Sequence, residues 1–206
     1  MHSTPEPRIR EATQADLAPL SRLFARAFAE NPLHRWLFPD ETVRTRKHHR
    51  FFAIALSEPI RHREMWVSDD LQGAIGWVPP DKAHPSLPSL AVVGARYAWL
   101  LGLRTGALIR GIHAINVHYP RYPHWYLRIA ATAPELEGRG IGTRLLDQGL
   151  ERCDCQGLPA YAEASSEGSA RFYERHGFSI AAEIRLPNGP SVWPMTRPAS
   201  LERAST

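Results

Sequence analysis

The chain has 206 residues, 43% of them hydrophobic and 22% charged, the composition of an ordinary globular domain. That apolar content excludes wholesale disorder, and the only cysteines, Cys153 and Cys155, stand too close together to staple a fold. The net charge of +4 is carried almost entirely by arginine, with Lys47 and Lys82 the only lysines; this suits a polyanionic small ligand and falls short of the basic stripe of a nucleic-acid binder.

Taken in chain order, residues 8–12 read as a first strand. Thr13 and Asp16 give a helix-start signal ahead of Leu17, Leu20, Phe24, Ala27 and Phe28 at helical spacing, so a helix is expected over about 14–29. Pro19 allows a later start with Asp16 as the cap, and Asn31-Pro32 ends the helix. The aromatic run 36–40 reads as a loop or short turn, followed by a second helix over 41–56. Residues 65–68 and 74–78, around a turn ending in Gly73, read as a hairpin. Region 81–122 is expected to be a helical insertion, broken near Gly102 or Gly111.

The last third is more regular. A strand is expected at 125–132, a turn at 133–135, a helix at 140–155 stopped by Gly157, and a strand at 160–164. A short helix at 169–176 and a hairpin of 178–185 with 191–197 follow. The order β-α-β-α-β-β indicates an α/β domain with a parallel pair at its first crossover. The whole of 1–206 is expected to be one domain with flexible ends at 1–7 and 199–206. Residues 1–7 lack the apolar run of a leader, and the longest apolar stretch, 90–109, is interrupted by glycine and arginine; the expectation is a cytoplasmic protein without membrane contact.

The chemistry concentrates in Ala133-Pro134-Glu135-Leu136-Glu137-Gly138-Arg139-Gly140-Ile141-Gly142-Thr143-Arg144. A strand end, a glycine-rich turn and a helix start bring main-chain N–H groups to one place, which favours a pyrophosphate. A P-loop needs a lysine that is absent here. A dinucleotide fingerprint would need glycine where Thr143 stands, although Glu163 lies at a suitable distance beyond. A tight turn without a ligand is the plain structural reading.

Glu137-x-x-Gly140-x-Gly142 resembles the signature of the GNAT superfamily of N-acetyltransferases, in which this turn holds the pyrophosphate of acetyl-CoA. The resemblance continues through Glu163-Ala164-Ser165-Ser166 and Arg171-Phe172-Tyr173-Glu174-Arg175-His176-Gly177-Phe178, which look like the family's strand and Phe-Tyr-Glu-x-x-Gly-Phe motif. Within the superfamily the chain most resembles the puromycin N-acetyltransferase-like branch, notably at Arg26-Ala27-Phe28-Ala29 and in 192–197; the likeness is weak over 81–122. It implies a mixed, mostly antiparallel central sheet with flanking helices and a helical insertion before the fourth strand. Glu137 departs from the family's glutamine or arginine, and is expected to point away from the pyrophosphate. Ser169 stands where that branch has a cofactor-holding asparagine.

The resemblance also implies roles. Ala130, Ala131 and Thr132 would present backbone groups to the thioester and pantetheine of acetyl-CoA. Gly138, Arg139, Gly140, Ile141, Gly142 and Thr143 would hold the diphosphate, with Ser169 assisting. Tyr173 matches the family's tyrosine that faces the thioester sulfur, and a phenol is a suitable proton donor to a thiolate. Glu163, at a strand end beside the cofactor, is the first choice of base, ahead of Tyr126, Glu30, His113 and His118. Zinc or another metal is not expected. The aromatics Trp36, Phe38, Trp77, Tyr97, Trp99, Tyr119 and Tyr122 are divided between core and acceptor pocket. The reading is direct acetyl transfer to a small primary amine, possible roles including antibiotic resistance, by a monomer or homodimer. Alternatives are a protein lysine or N-terminal acetyltransferase, and a non-catalytic acyl-CoA- or drug-binding protein.

Overall fold

The computed structural model describes residues 8–82 and 87–200, without the side chains of 82 and 87–93. The expectations for 1–7 and for most of 199–206 thus lie outside the described residues. An eight-stranded sheet forms the middle layer: β1 (Ile9–Glu11), β2 (Met65–Ser68), β3 (Gly73–Val78), β4 (Trp125–Thr132), β5 (Ala160–Ala164), β6 (Ser179–Ile180), β7 (Ile184–Arg185) and β8 (Ser191–Arg197). The order is β1-β2-β3-β4-β5-β8-β6, with β7 also on β8. Only β4 and β5 run parallel; every other pairing is antiparallel.

On one face lie α1 (Leu17–Ala27), α2 (Pro32–Leu37) and α3 (Glu41–Arg61); on the other, α6 (Ile141–Cys155) and α7 (Glu167–Glu174). Leu20, Leu23, Phe24, Phe52 and Leu56 bury against Val67, Ala74 and Ala131 on the first face. Leu145, Leu146 and Leu150 bury against Ile75, Trp77, Leu127 and Ala162 on the second. Each such aliphatic side chain contributes roughly 1.5–3 kcal/mol by leaving water. Alternation along β4 and β5 decides which face each side chain serves.

The first helix takes the later start that Pro19 allows and ends at Ala27, two residues short of the expected 29. Residues 14–16 form a single 3-10 turn and α1 begins at Leu17, with Asp16 at its N-cap. The Asp16 carboxylate does not cap α1. It accepts from Thr13 N at 2.7 Å and from Arg10 at 2.8 and 2.9 Å, which holds it well below the usual carboxylate range. Asn31-Pro32 does not end α1, whose C-cap is Phe28; it opens α2, whose last residues, Trp36 and Leu37, fall in the run expected as a loop or short turn. Asn31 Oδ1 accepts from Leu33 N at 3.0 Å, and Pro32 occupies the first helical turn, where its missing N–H costs nothing. The next helix, α3, runs to Arg61, five residues past the expected end, and contains Pro59.

The insertion is two helices, α4 (Leu87–Leu101) and α5 (Thr105–Asn116), broken at Gly102, whose φ of +54° ends α4. It packs on α3 through Leu100, Leu101, Tyr97, Phe51 and Ile54. The expected strand 178–185 is instead two fragments, β6 and β7. The gap lies opposite Trp193-Pro194, where Pro194 has no N–H to donate; only its carbonyl is used, by Ala181 N at 2.8 Å.

Candidate active site

The site begins where two strands part. β4 and β5 pair only from Trp125–Ala160 to Leu127–Ala162. The register of β3 on β4 then slips between Gly76 and Trp77, placing one extra residue, Arg128, in β4. Such a bulge bends the strand and re-aims its side chains. Beyond it, residues 129–132 keep β3 on one edge and have no strand partner on the other among the described residues. The backbone groups of that edge open into a cleft of about 730 Å³.

At one end of the cleft lies the glycine-rich turn. Gly138 and Gly140 have φ of +78° and +81°, a left-handed backbone that favours glycine, and a Cβ at either would meet nothing within 4 Å. The turn is therefore glycine for its conformation and leaves open space beside it. Gly140 is the N-cap of α6 and gives no side-chain cap; the helical ladder starts only at Arg144 N, which donates to Gly140 O at 3.0 Å. The first-turn amides of α6 are thus left for a ligand, and the helix dipole favours an anion there. This fits a diphosphate.

Of the residues singled out from the sequence, Ala130, Ala131, Thr132, Gly138, Gly140, Ile141, Gly142, Thr143, Glu163, Ser169 and Tyr173 line the cleft. Arg139 is the exception: it is exposed and lies outside the lining. Glu137, expected to point away, is exposed at the same mouth and belongs to the lining. α7 starts at Glu167, two residues earlier than expected, capped by Ser166. Ser169 therefore sits inside the first turn, and its hydroxyl is engaged with Ser166, donating to Ser166 O at 2.8 Å and accepting from Ser166 N at 3.1 Å.

Tyr173, on α7, packs its ring against Phe172 and Phe178 and is only 8% exposed. Burial pushes its phenol up to about 12, so it stays protonated at any working pH. Glu163, on β5, accepts a hydrogen bond from the Tyr126 hydroxyl at 2.9 Å. Burial holds its carboxyl above the usual range, opposed by the Tyr126 bond and the positive charge of Arg128. Of the other base candidates, Tyr126 is tied to Glu163 and pushed well up by its own burial. Glu30 is exposed and paired with Arg35 at 3.0 Å, and His113 and His118 do not line the cleft.

The acceptor end differs from the sequence reading. None of Trp36, Phe38, Trp77, Tyr97, Trp99, Tyr119 and Tyr122 lines the cleft; Trp77 is core and Trp99 is 76% exposed. The apolar wall is instead Phe28, Phe51 and Phe52, with Leu33, Ile115 and Val192. His34 joins it from α2, ringed by Phe28, Phe51 and Phe52 at 4.9–5.3 Å between centroids, and burial lowers its imidazole to about 3. Asn31 Nδ2 donates to Ser165 Oγ at 2.9 Å, tying the start of α2 to the loop after β5. Sequence reading missed these residues and Arg128. A lone charge inside the apolar run Trp125–Thr132 was the available signal for the latter.

A sequence model of the acetyltransferase (GNAT) family matches residues 20–178. The chain belongs to the GNAT family of acetyltransferases. As a GNAT protein it shares its fold with a Corynebacterium glutamicum structure described as histone acetyltransferase HPA2 and related acetyltransferase, at a TM-score of 0.66 and 24% identity over 95% of this chain and 98% of that one. It also superposes on the Drosophila melanogaster polyamine N-acetyltransferase, at a TM-score of 0.62 and 17% identity over 93% and 99%. Among curated sequences, 86 residues are 33% identical to mycothiol acetyltransferase of Corynebacterium aurimucosum, covering 40% of this chain and 28% of that protein. A shorter match, 29% over 68 residues, is to a probable serine/threonine-protein kinase of Dictyostelium discoideum and spans 32% of this chain and 9% of that protein. The chain thus matches under a third of the length of each of these two curated relatives.

Proposed function

We propose that the protein transfers acetyl from acetyl-CoA to a primary amine of a small molecule by direct attack. The observation that supports this best is the cleft itself, which joins the uncapped start of α6 to a half-buried carboxylate along the unpaired edge of β4. Main-chain amides at 138–143 hold the diphosphate. The free edge at 130–132 aligns the pantetheine and supplies fixed N–H donors to the thioester oxygen, where charge develops during attack.

Alkyl amines are largely protonated near neutral pH, so the nucleophile must first lose a proton. Glu163 takes it, directly or through water. Its raised affinity for a proton brings it nearer to the operating pH than an ordinary carboxylate. The nitrogen then bonds to the acetyl carbon, the carbon–sulfur bond breaks, the departing sulfur takes a proton from the Tyr173 hydroxyl, and the second proton released by the nitrogen restores that hydroxyl, directly or through water. Neither cysteine takes part: both lie at the C-terminal end of α6, outside the lining, Cys153 buried with its thiol pushed up to about 12.

A screen of amines for thiol release tests the proposal; it includes puromycin, polyamines, arylalkylamines and lysine peptides. Release with small amines and not with peptides is expected. Release confined to peptides would favour the protein-acetylating reading. Stabilisation by acetyl-CoA without release across the library would favour a binding protein.

A further inference from the structure

Arg128 has no evident task in acetyl transfer. It is the single charged residue of β4, stands at the bulge where β4 leaves β5, and is exposed to the cleft. It follows directly on Leu127, the last β4 residue paired with β5, as Glu163 follows on Leu127's partner Ala162, and both line the cleft, which places Arg128 in the acceptor half, away from the glycine turn. No other described side chain forms an ion pair with it, Glu163 included. A guanidinium in such a place presents a planar fork of donors that matches a carboxylate.

The rest of that half sets the size and polarity of what binds. Phe28, Phe51, Phe52, Leu33, Ile115 and Val192 make one wall apolar. Glu137 and Glu163 are the only carboxylates of the lining among the described residues, and Glu137 belongs to the turn. A polyamine or a basic peptide would need further acidic partners for its additional cations, and this half has none to give. Glu163 and Arg128 instead offer one site for an ammonium and one for an anion, side by side.

We propose that the acceptor is an amino carboxylate with an apolar or aromatic body, its amine facing Glu163 and its carboxylate held by Arg128. This deepens the acetyl-transfer reading above and rests on it. The carboxylate lies a few bonds from the nitrogen, as in α- and β-amino acids, because the two recognition groups occupy the same stretch of the cleft.

The test uses acceptor pairs that differ only in carboxylate against carboxamide, such as phenylalanine with phenylalaninamide, leucine with leucinamide, and their β-amino counterparts. Binding to the wild-type protein and to Arg128→Gln is measured by calorimetry, with thiol release followed in parallel. In at least one pair the wild type binds the carboxylate more tightly than the amide. Arg128→Gln lowers that preference roughly 10- to 100-fold, the usual reach of a charge-assisted pair. Arg128→Lys, keeping the charge without the fork, recovers part of it. Absence of a carboxylate preference in every wild-type pair would overturn the proposal, as would an equal loss for both members of a pair in Arg128→Gln. Because binding is read separately, a carboxylate preference without any thiol release would sink acetyl transfer and leave the role of Arg128 standing.

Discussion

Replacing Glu163 by glutamine keeps the shape of the side chain and an oxygen for the Tyr126 hydroxyl at 2.9 Å, but removes the group that takes the proton. Loss of a positioned general base costs about 100- to 10,000-fold in rate. Acetyl-CoA affinity should not change, because Glu163 lies on β5, away from the diphosphate turn. Burial raises the Glu163 carboxyl, so the wild-type protein must be brought above that raised value before the base is free. kcat/KM therefore climbs with pH through a limb displaced upward from the ordinary carboxylate range, and Glu163→Gln loses that limb. Stability moves the other way. A carboxyl raised by folding holds its proton longer in the folded state, so its contribution is fullest below the ordinary carboxylate value and declines as pH rises through the folded value. Glu163→Gln should then melt no lower than wild type at neutral pH. The assays are thiol release across pH, calorimetry with acetyl-CoA and thermal unfolding. Turnover close to wild type, or an acid limb that survives the substitution, would refute the assignment.

Tyr173→Phe removes the hydroxyl of a side chain already fixed by Phe172 and Phe178; kcat should fall while calorimetry finds acetyl-CoA affinity unchanged, and full turnover would remove Tyr173 from the mechanism. His34 is lowered by burial to about 3 from an ordinary 6.5, so the folded state resists protonation and stability is lost as pH falls below 6.5. At about 1.4 kcal/mol per pH unit, roughly 2 kcal/mol is gone by about pH 5. Melting curves of His34→Phe should show a shallower decline over this range than those of wild type. A Cβ at Gly149 would overlap the buried indole of Trp77, so Gly149→Ala should unfold well below wild type, whereas Gly149→Ala with Trp77→Leu should recover part of the loss.

The cofactor half was legible in the sequence because backbone does the binding there. Left-handed positions at Gly138 and Gly140 can be recognised from residue type, and the apolar spacing of Leu145, Leu146 and Leu150 fixes which side of α6 faces the sheet. The acceptor half was not, because it is assembled from distant pieces. Phe28, Phe51 and Phe52 carry the same helical spacing as the core, and only the parting of β4 from β5 shows that one edge of this group faces a cleft. The start of α2 was missed because Asn31-Pro32 reads as a helix stop but serves as a helix start, and the break between β6 and β7 depends on Pro194 lying across the sheet.

The central claim is that acetyl-CoA lies along the unpaired edge of β4 with its diphosphate at the start of α6. A crystal structure of the protein with acetyl-CoA tests it most directly. The account predicts diphosphate oxygens within hydrogen-bond distance of main-chain nitrogens in 138–143, and the thioester against 130–132 with its sulfur facing Tyr173. Coenzyme bound elsewhere, or a turn that stays empty at saturating coenzyme, would contradict it.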